Sequence, residues 1–214
     1  MPSRDLPELG LARFRAALAP LSPVGLSEHQ AAALQAHYQE LRRWNRTLSL
    51  IGPGTVDEVL ARHYGESLAA LPLVAPSCRS VLDLGSGAGF PGFVLAAMLP
   101  EARVTLVEAR ERKWAFLQAA ARRAALPVKC LNVRVAASLP AGLPPEIDLV
   151  TARALKLPAE LLELLAARLS PEGQMLLWVG EEAPIPPPEW CIGRELRLAG
   201  AARRRIVEFR RERS

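Results

Sequence analysis

The spacing of hydrophobic and polar positions changes partway along the chain and divides it into two parts. Up to about residue 76 the apolar positions recur at helical spacing, and Ser27–Gln30 and Thr55–Glu58 each match the capping box that begins a helix. From Ser80 onward, short apolar runs alternate with longer amphipathic segments, a pattern typical of strands alternating with helices. We therefore expect a helical extension over residues 1–76 and an α/β domain over residues 77–214.

The second part of the chain predicts seven strands and three helices. The strands are expected at residues 80–85, 103–108, 128–133, 147–152, 174–179, 190–198 and 204–210. The helices are expected at residues 91–99, 111–125 and 158–169, with a turn at residues 170–173. Such alternation implies a mostly parallel sheet with helices on both faces, and the last two strands predict an antiparallel hairpin at its edge. In the extension, a helix is expected after Ser27 and another from Thr55 to about Ala70.

The composition is that of a globular protein with a hydrophobic core, because half of the 214 residues are hydrophobic and 23% are charged. No run of 18 apolar residues occurs, and the N-terminal residues lack the apolar stretch of a signal peptide. Cys78, Cys130 and Cys191 are few and far apart, so we expect reduced thiols; His29 and His37 have no partners at ligand spacing and are expected to be solvated. These features favour a cytoplasmic protein that holds no metal and contacts no membrane.

A glycine-rich loop follows the first predicted strand, with Gly85, Gly87 and Gly89 at every second position. Glycine has no Cβ, so the backbone can adopt positive φ and a ligand can approach it closely. Pro91 suits the first turn of the helix that follows. Free N–H groups and the positive end of that helix would attract an anionic part of a ligand.

The loop fits two ligand patterns, and Asp83 favours one of them. Residues 87–92 match the G-x-G-x-x-G pattern of dinucleotide-binding oxidoreductases. Residues 83–89 place an acid before the three glycines, the pattern of enzymes that use S-adenosylmethionine. An acid beside the ligand would repel a pyrophosphate but would suit an ammonium and a sulfonium. The methyl-donor interpretation is therefore preferred, and the dinucleotide interpretation stays open.

Glu108 is the second candidate for cofactor binding. It ends the second predicted strand, 19 residues after Gly89. An acid at about this distance and at a strand tip hydrogen-bonds the hydroxyls of a ribose. Glu108 therefore supports any ligand that contains adenosine and does not separate the two interpretations.

Arg153 follows the fourth predicted strand, at the place where a substrate would meet the methyl group. Many amino-group methyltransferases carry an acid or amide, two prolines and an aromatic residue there, whereas this chain has Thr151–Ala154. This departure disfavours methylation of an exocyclic amine. A ring nitrogen has its own lone pair and needs only positioning, and an arginine can hydrogen-bond a purine edge or hold a phosphate. The alternative role for Arg153 is an ion pair with a structural carboxylate.

The charge of the chain permits a polyanionic partner such as RNA. The net charge is +5 and the isoelectric point is about 9.6. Near the C-terminus the arginines are Arg203, Arg204, Arg205, Arg210, Arg211 and Arg213. They are equally compatible with an RNA-backbone patch and with a solvated tail.

Taken together, these residues resemble the bacterial 16S ribosomal RNA guanine-N7 methyltransferases, also called the glucose-inhibited division protein B family. The resemblance runs from Ser27 to about Arg210. The matching pieces are Leu41–Asn45, Arg62–His63 with Ser67, Asp83–Gly92, Arg112–Lys113 with Phe116–Leu117, and Ala152–Ala154. The Phe-Pro-Gly after the glycines, with Trp-Asn and Arg-His upstream, makes the match more specific than the glycine motif alone.

The resemblance implies a Rossmann-like class I methyltransferase fold with N-terminal helices, S-adenosylmethionine as cofactor, and transfer of a methyl group to N7 of a guanine in 16S rRNA. By the family's pattern, Phe90, Val135 and Ala136 join the cofactor contacts. The full expected cofactor set is Asp83, Gly85, Gly87, Gly89, Phe90, Glu108, Val135, Ala136 and Arg153. Arg62, His63 and Arg153 are expected to orient the RNA. We expect a monomer that acts on 16S rRNA or on the small ribosomal subunit.

The chain departs from the family's pattern at several positions. Ser49–Ile51 stands where Asn-Leu-Thr is usual, Glu66 stands where aspartate is usual, and Val179-Gly180 stands where Lys-Gly is common. An acid often follows Val135 in the family, and here the residue is Ala136. The alternatives that these departures leave are a non-catalytic module that binds S-adenosylmethionine or RNA, and a methyltransferase with another substrate.

Overall fold

The N-terminal part of the chain folds into helices that begin where the capping boxes predict. The structure is a computed structural model that describes residues 5–135, 139–200 and 203–212, so Ala136 and Arg213 lie outside the described residues. A short helix, α1 (Leu11–Leu18), precedes the long helix α2 (Glu28–Leu48). Ser27 caps α2: its hydroxyl accepts from the Gln30 N–H at 3.1 Å, and the Gln30 side chain accepts from the Ser27 N–H at 2.9 Å. The capping-box prediction is confirmed.

The helix that follows the Thr55 capping box contains a π-helical stretch that the sequence did not predict. It starts as α3 (Val56–Val59), continues as a π helix over Leu60–Gly65, and ends as α4 (Glu66–Leu68). The Thr55 hydroxyl accepts from the Glu58 N–H at 3.3 Å, and the Glu58 carboxylate accepts from the Thr55 N–H at 2.7 Å. A π helix bonds each N–H one residue further back than an α helix does; it is rare and frequently occurs at functional sites.

A seven-stranded sheet forms the second part of the chain. Its strands are β1 (Ser80–Leu84), β2 (Arg103–Val107), β3 (Lys129–Leu131), β4 (Ile147–Arg153), β5 (Leu169–Val179), β6 (Trp190–Arg197) and β7 (Arg205–Arg211). The spatial order is β3-β2-β1-β4-β5-β7-β6. The first five strands pair in parallel, and β7 lies antiparallel between β5 and β6. The predicted Rossmann-like sheet with an antiparallel edge hairpin is confirmed.

Three helices connect the parallel strands, and each is shorter than predicted. They are α5 (Gly92–Met98), α6 (Glu111–Arg123) and α7 (Ala159–Ala166). Pro158 precedes α7 as its N-cap residue instead of lying in its first turn. The predicted turn at residues 170–173 is a bulge inside β5, because Ile147 pairs with Leu169 while Leu149 pairs with Gln174.

The hydrophobic core has one layer on each face of the sheet. One layer joins α5 and α6 to the N-terminal helices, through residues such as Phe14, Leu34 and Phe93. The other layer packs α7 against the opposite face, through residues such as Leu161 and Val150. The N-terminal helices therefore bury their apolar face against the α/β part, and the boundary at residue 76 stays a prediction.

No helix in the described part of the chain has both the length and the apolar character needed to cross a bilayer.

Candidate functional site

The carboxyl ends of β1, β2 and β4 form the floor of a cleft of about 510 Å³, a volume within the range of small-molecule sites. In sheets of this kind ligands bind at the carboxyl ends of the strands. The cleft is lined by Leu50, Ile51, Arg62, His63, residues 84–88, Phe90, residues 107–110, Lys113, residues 133–135 and residues 153–155. The predicted convergence of the glycine loop, Glu108 and Arg153 is thus observed in one cleft.

The glycine loop has the backbone conformation that its sequence requires. Gly85, Gly87 and Gly89 have φ values of 66°, 55° and 87°, in the left-handed region that other residues rarely adopt. At Gly89 an added Cβ would also lie 2.9 Å from His37 Nε2 and 3.0 Å from Phe93 Cβ. The loop is therefore held closely against the side chains behind it.

Asp83 does not lie in the cleft, which corrects the expectation that its carboxylate sits beside the ligand. Its side chain is fully buried, and Oδ1 accepts from the Thr151 hydroxyl at 2.6 Å. It packs against Gly92, the first residue of α5, where an added Cβ would lie 2.5 Å from Asp83 Cβ. The positive end of α5 therefore faces Asp83, and not a ligand carboxylate. Burial raises the pKa of Asp83 to about 6, against the opposing effect of the hydrogen bond from Thr151.

Glu108 follows β2 and lines the cleft. Its Oε2 accepts from the Gly87 N–H at 2.9 Å and its Oε1 accepts from the Arg110 N–H at 2.8 Å. Asn132 donates to its backbone carbonyl at 2.9 Å. Each carboxylate oxygen has a second lone pair, so Glu108 can hold the loop and still accept from a ligand hydroxyl.

Arg153 ends β4 and lines the cleft, and its guanidinium is held by the N-terminal helices. Nη2 donates to the Arg62 carbonyl at 2.8 Å and to Glu66 Oε2 at 2.9 Å. Glu66 Oε1 also accepts from Arg204 Nη2 at 2.7 Å, so one buried carboxylate binds two arginines. Arg153 Nη1 is buried without a hydrogen-bond partner among the described residues. The alternative role for Arg153, an ion pair with a structural carboxylate, is therefore present, and Nη1 takes no part in it.

His63 and Phe90 form one wall of the cleft. Their rings stack with centroids 5.0 Å apart and planes 27° apart. Burial, together with the nearby positive charges of Arg153 and Arg62, lowers the pKa of His63 to about 3, so the imidazole is neutral at pH 7. The Arg62 side chain is exposed at the mouth of the cleft.

His37 is fully buried behind the glycine loop, so the prediction that it is solvated is wrong. Its ring lies 2.7 Å from the Tyr64 hydroxyl and 2.9 Å from the Ala88 carbonyl. The sequence contained a signal: His37 lies three residues after Leu34 and four before Leu41, on the apolar stripe of α2. His29 is exposed, as expected.

Basic side chains surround the mouth of the cleft. Arg62, Arg110, Lys113 and Arg134 all line it, and none forms an ion pair with another residue in the described ranges. The C-terminal arginines differ, because most of them have structural partners. Arg203, Arg204 and Arg205 pair with Glu181, Glu66 and Glu195. Arg211 donates to the Ala166 carbonyl and lies over the Trp190 ring. Arg204, Arg205 and Arg211 are therefore held by structural partners. Arg203 and Arg210 are exposed, so the two alternatives stay open at those positions.

The described residues that line the cleft and could hold a cofactor are Gly85, Gly87, Phe90, Glu108, Val135 and Arg153. Gly89 was expected among them, but it does not line the cleft and lies against His37 and Phe93 instead. Ala136 lies outside the described residues. No group of three or more potential metal ligands occurs within the described ranges.

Comparison with known proteins gives matches over most of the chain. The family model for "rRNA small subunit methyltransferase G" (GidB) matches residues 30–185. The ribosomal RNA small subunit methyltransferase G of Paramagnetospirillum magneticum is 37% identical over 177 residues, which cover 80% of this chain and 83% of the relative. The protein of the same name from Methylobacterium radiotolerans is 43% identical over 148 residues, covering 68% of this chain and 67% of the relative.

Solved structures share the fold at low identity. TrmN from Thermus thermophilus superposes with a TM-score of 0.56 at 21% identity, covering 68% of this chain and 48% of that chain. A SAM-dependent methyltransferase from Aquifex aeolicus superposes with a TM-score of 0.54 at 16% identity, covering 71% and 92%.

Proposed function

The chain belongs to the rRNA small subunit methyltransferase G family, and from that premise we propose that the cleft transfers a methyl group from S-adenosylmethionine to N7 of a guanine in 16S ribosomal RNA. The family makes the chain an S-adenosylmethionine-dependent methyltransferase of small-subunit rRNA. The observation that carries the assignment to this cleft is that the glycine loop, Glu108 and Arg153 all line it.

The residues of the cleft fit the cofactor. Glu108 offers carboxylate oxygens at the tip of β2, the usual position for binding ribose hydroxyls. Val133 and Val135 supply an apolar wall suited to the adenine. The backbone of Gly85 and Gly87 can approach the cofactor closely, Gly89 closes the turn behind them, and the ring of Phe90 completes the wall. We keep Ala136 among the proposed cofactor contacts because its neighbour Val135 lines the cleft. Asp83 supports the loop from behind.

Once bound, the cofactor supplies an electrophilic methyl group on its sulfonium. Guanine N7 carries its own lone pair, so the protein needs no general base and contributes alignment. Arg153 suits this role because Nη2 is held by Glu66 and the Arg62 carbonyl while Nη1 has no partner among the described residues. Arg153 lines the cleft, and a rotation of its guanidinium toward the base would let Nη1 hydrogen-bond the guanine O6 and leave N7 unblocked.

His63 and Arg62 serve the same alignment by different means. His63 is neutral, so its ring can approach a base among three arginines without adding a positive charge. Arg62 is exposed and without an ion pair in the described ranges, which suits a contact with the RNA backbone. The partner is 16S rRNA or the assembled small subunit, and the enzyme works as a monomer in the cytoplasm.

The experiment compares methyl transfer by the wild type, Arg153→Ala and Arg197→Ala, using labelled S-adenosylmethionine and small subunits that lack the modification. Position N7 is mapped by reduction and cleavage at 7-methylguanine. Arg197 is an exposed arginine of β6 outside the cleft, so its variant controls for the loss of a positive charge. We expect Arg153→Ala to lose most turnover while Arg197→Ala keeps it.

Three outcomes would contradict the proposal. If incubation with the wild type leaves N7 modification unchanged at every 16S guanine, the reaction is excluded. Tight binding of S-adenosylmethionine without turnover on any RNA would favour a non-catalytic module. Binding of NADH in place of S-adenosylmethionine would restore the dinucleotide interpretation.

A further inference from the structure

We propose that His37 is a positioning residue that connects α2 to the glycine loop and thereby sets the affinity for S-adenosylmethionine. The inference rests on the proposed function, because it concerns the cofactor side of the same cleft. His37 does not line the cleft; it acts from behind the loop.

The hydrogen bonds of His37 determine which nitrogen carries the proton. Nε2 lies 2.9 Å from the Ala88 carbonyl oxygen, which can only accept, so Nε2 carries the hydrogen and donates it. In the neutral ring Nδ1 then accepts from the Tyr64 O–H at 2.7 Å. Burial lowers the pKa of His37 to about 4, so this neutral form dominates at pH 7.

The surroundings of the ring leave the loop little room to move toward it. Ring centroids of Phe93, Phe90 and Phe116 lie 4.4, 5.2 and 5.6 Å from that of His37. An added Cβ at Gly89 would lie 2.9 Å from Nε2. The imidazole therefore forms the back wall of the loop as well as its hydrogen-bond donor.

The loop needs such restraints because its glycines supply none. Glycine populates positive and negative φ with similar ease, so Gly87 and Gly89 leave the segment between them free to change conformation. Two side-chain hydrogen bonds oppose this freedom from opposite sides of the loop. On the cleft side, the Glu108 carboxylate accepts from the Gly87 N–H at 2.9 Å; behind the loop, His37 donates to the Ala88 carbonyl. Without His37 the buried Ala88 carbonyl would lack a hydrogen-bond partner, and turning toward water would be energetically favourable. The cofactor would then have to reorder the loop on binding.

The test measures cofactor affinity by calorimetry and steady-state kinetics for His37→Phe, His37→Gln and Tyr64→Phe. Phe keeps the ring volume and removes both hydrogen bonds. We expect the Kd and KM for S-adenosylmethionine to rise about tenfold with kcat at saturating cofactor within about threefold of the wild type, the loss of one buried hydrogen bond being worth that factor. Gln can donate to Ala88 and accept from Tyr64, so it should restore most of the affinity.

Tyr38→Phe is the matched control. It removes a hydroxyl from the neighbouring residue of α2, where the side chain donates to the Pro7 carbonyl at 2.8 Å, far from the loop. Its cofactor affinity should equal that of the wild type. Equal affinity in His37→Phe and Tyr38→Phe, or a fall in kcat without a rise in KM, would overturn the inference.

The remaining outcomes also decide the question. If His37→Phe does not fold, Tyr64→Phe carries the test, with His37→Gln as the conservative reference. An unchanged KM for S-adenosylmethionine in Tyr64→Phe, together with wild-type protection of its loop from hydrogen exchange, overturns the inference. If the wild type itself does not bind S-adenosylmethionine, the proposed function fails, and that result is distinct from equal binding by wild type and variants.

Discussion

The buried carboxylate of Glu66 offers a sharp test of how the site is held. Its side chain is 5% exposed and binds Arg153, whose side chain is 14% exposed, together with the more exposed Arg204. Glu66→Gln keeps the shape but removes the charge, so the Arg153 guanidinium loses its counter-charge while still buried. Removing one partner of a buried ion pair costs about 3–5 kcal/mol. Because the amide oxygen can still accept one hydrogen bond, we take the lower end, about 3 kcal/mol.

That loss of stability should lower the Tm but leave the variant folded under assay conditions. For a chain of this size about 1 kcal/mol corresponds to about 2–4 °C in Tm, so Glu66→Gln should melt about 6–12 °C lower. A total stability of about 5–15 kcal/mol would leave the variant folded at 25 °C. The kcat/KM for methyl transfer should fall about tenfold or more, because Arg153 is no longer held in one position. Thermal melting and the small-subunit methylation assay measure the two effects on one preparation.

Glu208→Gln is the matched control for both measurements. Glu208 is as deeply buried as Glu66 and pairs with Arg194 at 2.8 Å, but it lies on β7 outside the cleft. It should also lower Tm, while leaving kcat/KM near the wild-type value. The reasoning is refuted if Glu66→Gln melts like the wild type, or if the two variants lose activity to the same extent.

Further predictions concern the loop, the pH dependence and the rim. Gly89→Ala should weaken cofactor binding at least tenfold by calorimetry, because φ is 87° and the new Cβ meets His37, whereas Gly10→Ala, with φ −65° and open space, should not. As pH falls from 6.5 to about 4, buried His37 and His63 both stay neutral in the folded chain while the unfolded chain binds a proton at each. The share of His37 in the resulting fall of the free energy of unfolding should be about 3 kcal/mol. Urea titrations of His37→Phe should lack this contribution, and an unchanged pH profile would contradict it. Asp83 acts in the opposite direction, because its raised pKa of about 6 lets the folded state bind a proton first; Asp83→Asn should therefore make the acid loss steeper. Replacing Arg110 with Gln should lower the slope of log affinity for the small subunit against log salt by about 0.7–0.9, and an unaltered slope would argue against a phosphate contact there.

Local patterns were enough to predict the elements of the fold. The capping boxes at Ser27 and Thr55 act over three residues, and the apolar runs of β1 and β2 end in the glycines and acid that mark a ligand site. The five parallel strands and the edge hairpin followed from their alternation with helices. Such signals do not depend on distant contacts, which is why they could be identified in the sequence.

The misplaced residues depend on distant contacts or on strand geometry. The environment of His37 is built by Ala88, 51 residues away, and by aromatic rings on two later helices. For Asp83 the alternation of β1 was the neglected signal, because it shares a face with Val81 while Leu82 and Leu84 point to the other layer. The glycine motif alone suggested a cleft residue, whereas the period of the strand places its carboxylate against α5.

The π-helical stretch at Leu60–Gly65 determines what a one-residue deletion in this segment would change. It lets three successive residues serve three partners: the Arg62 carbonyl accepts from Arg153, the His63 ring stacks on Phe90, and the Tyr64 hydroxyl reaches His37. A π turn holds one residue more than an α turn, so a single deletion here would restore regular α-helical winding and leave the flanking turns in phase. The shortened segment would have one residue fewer for these three contacts, so homologues that align with a one-residue gap here should lack one of them.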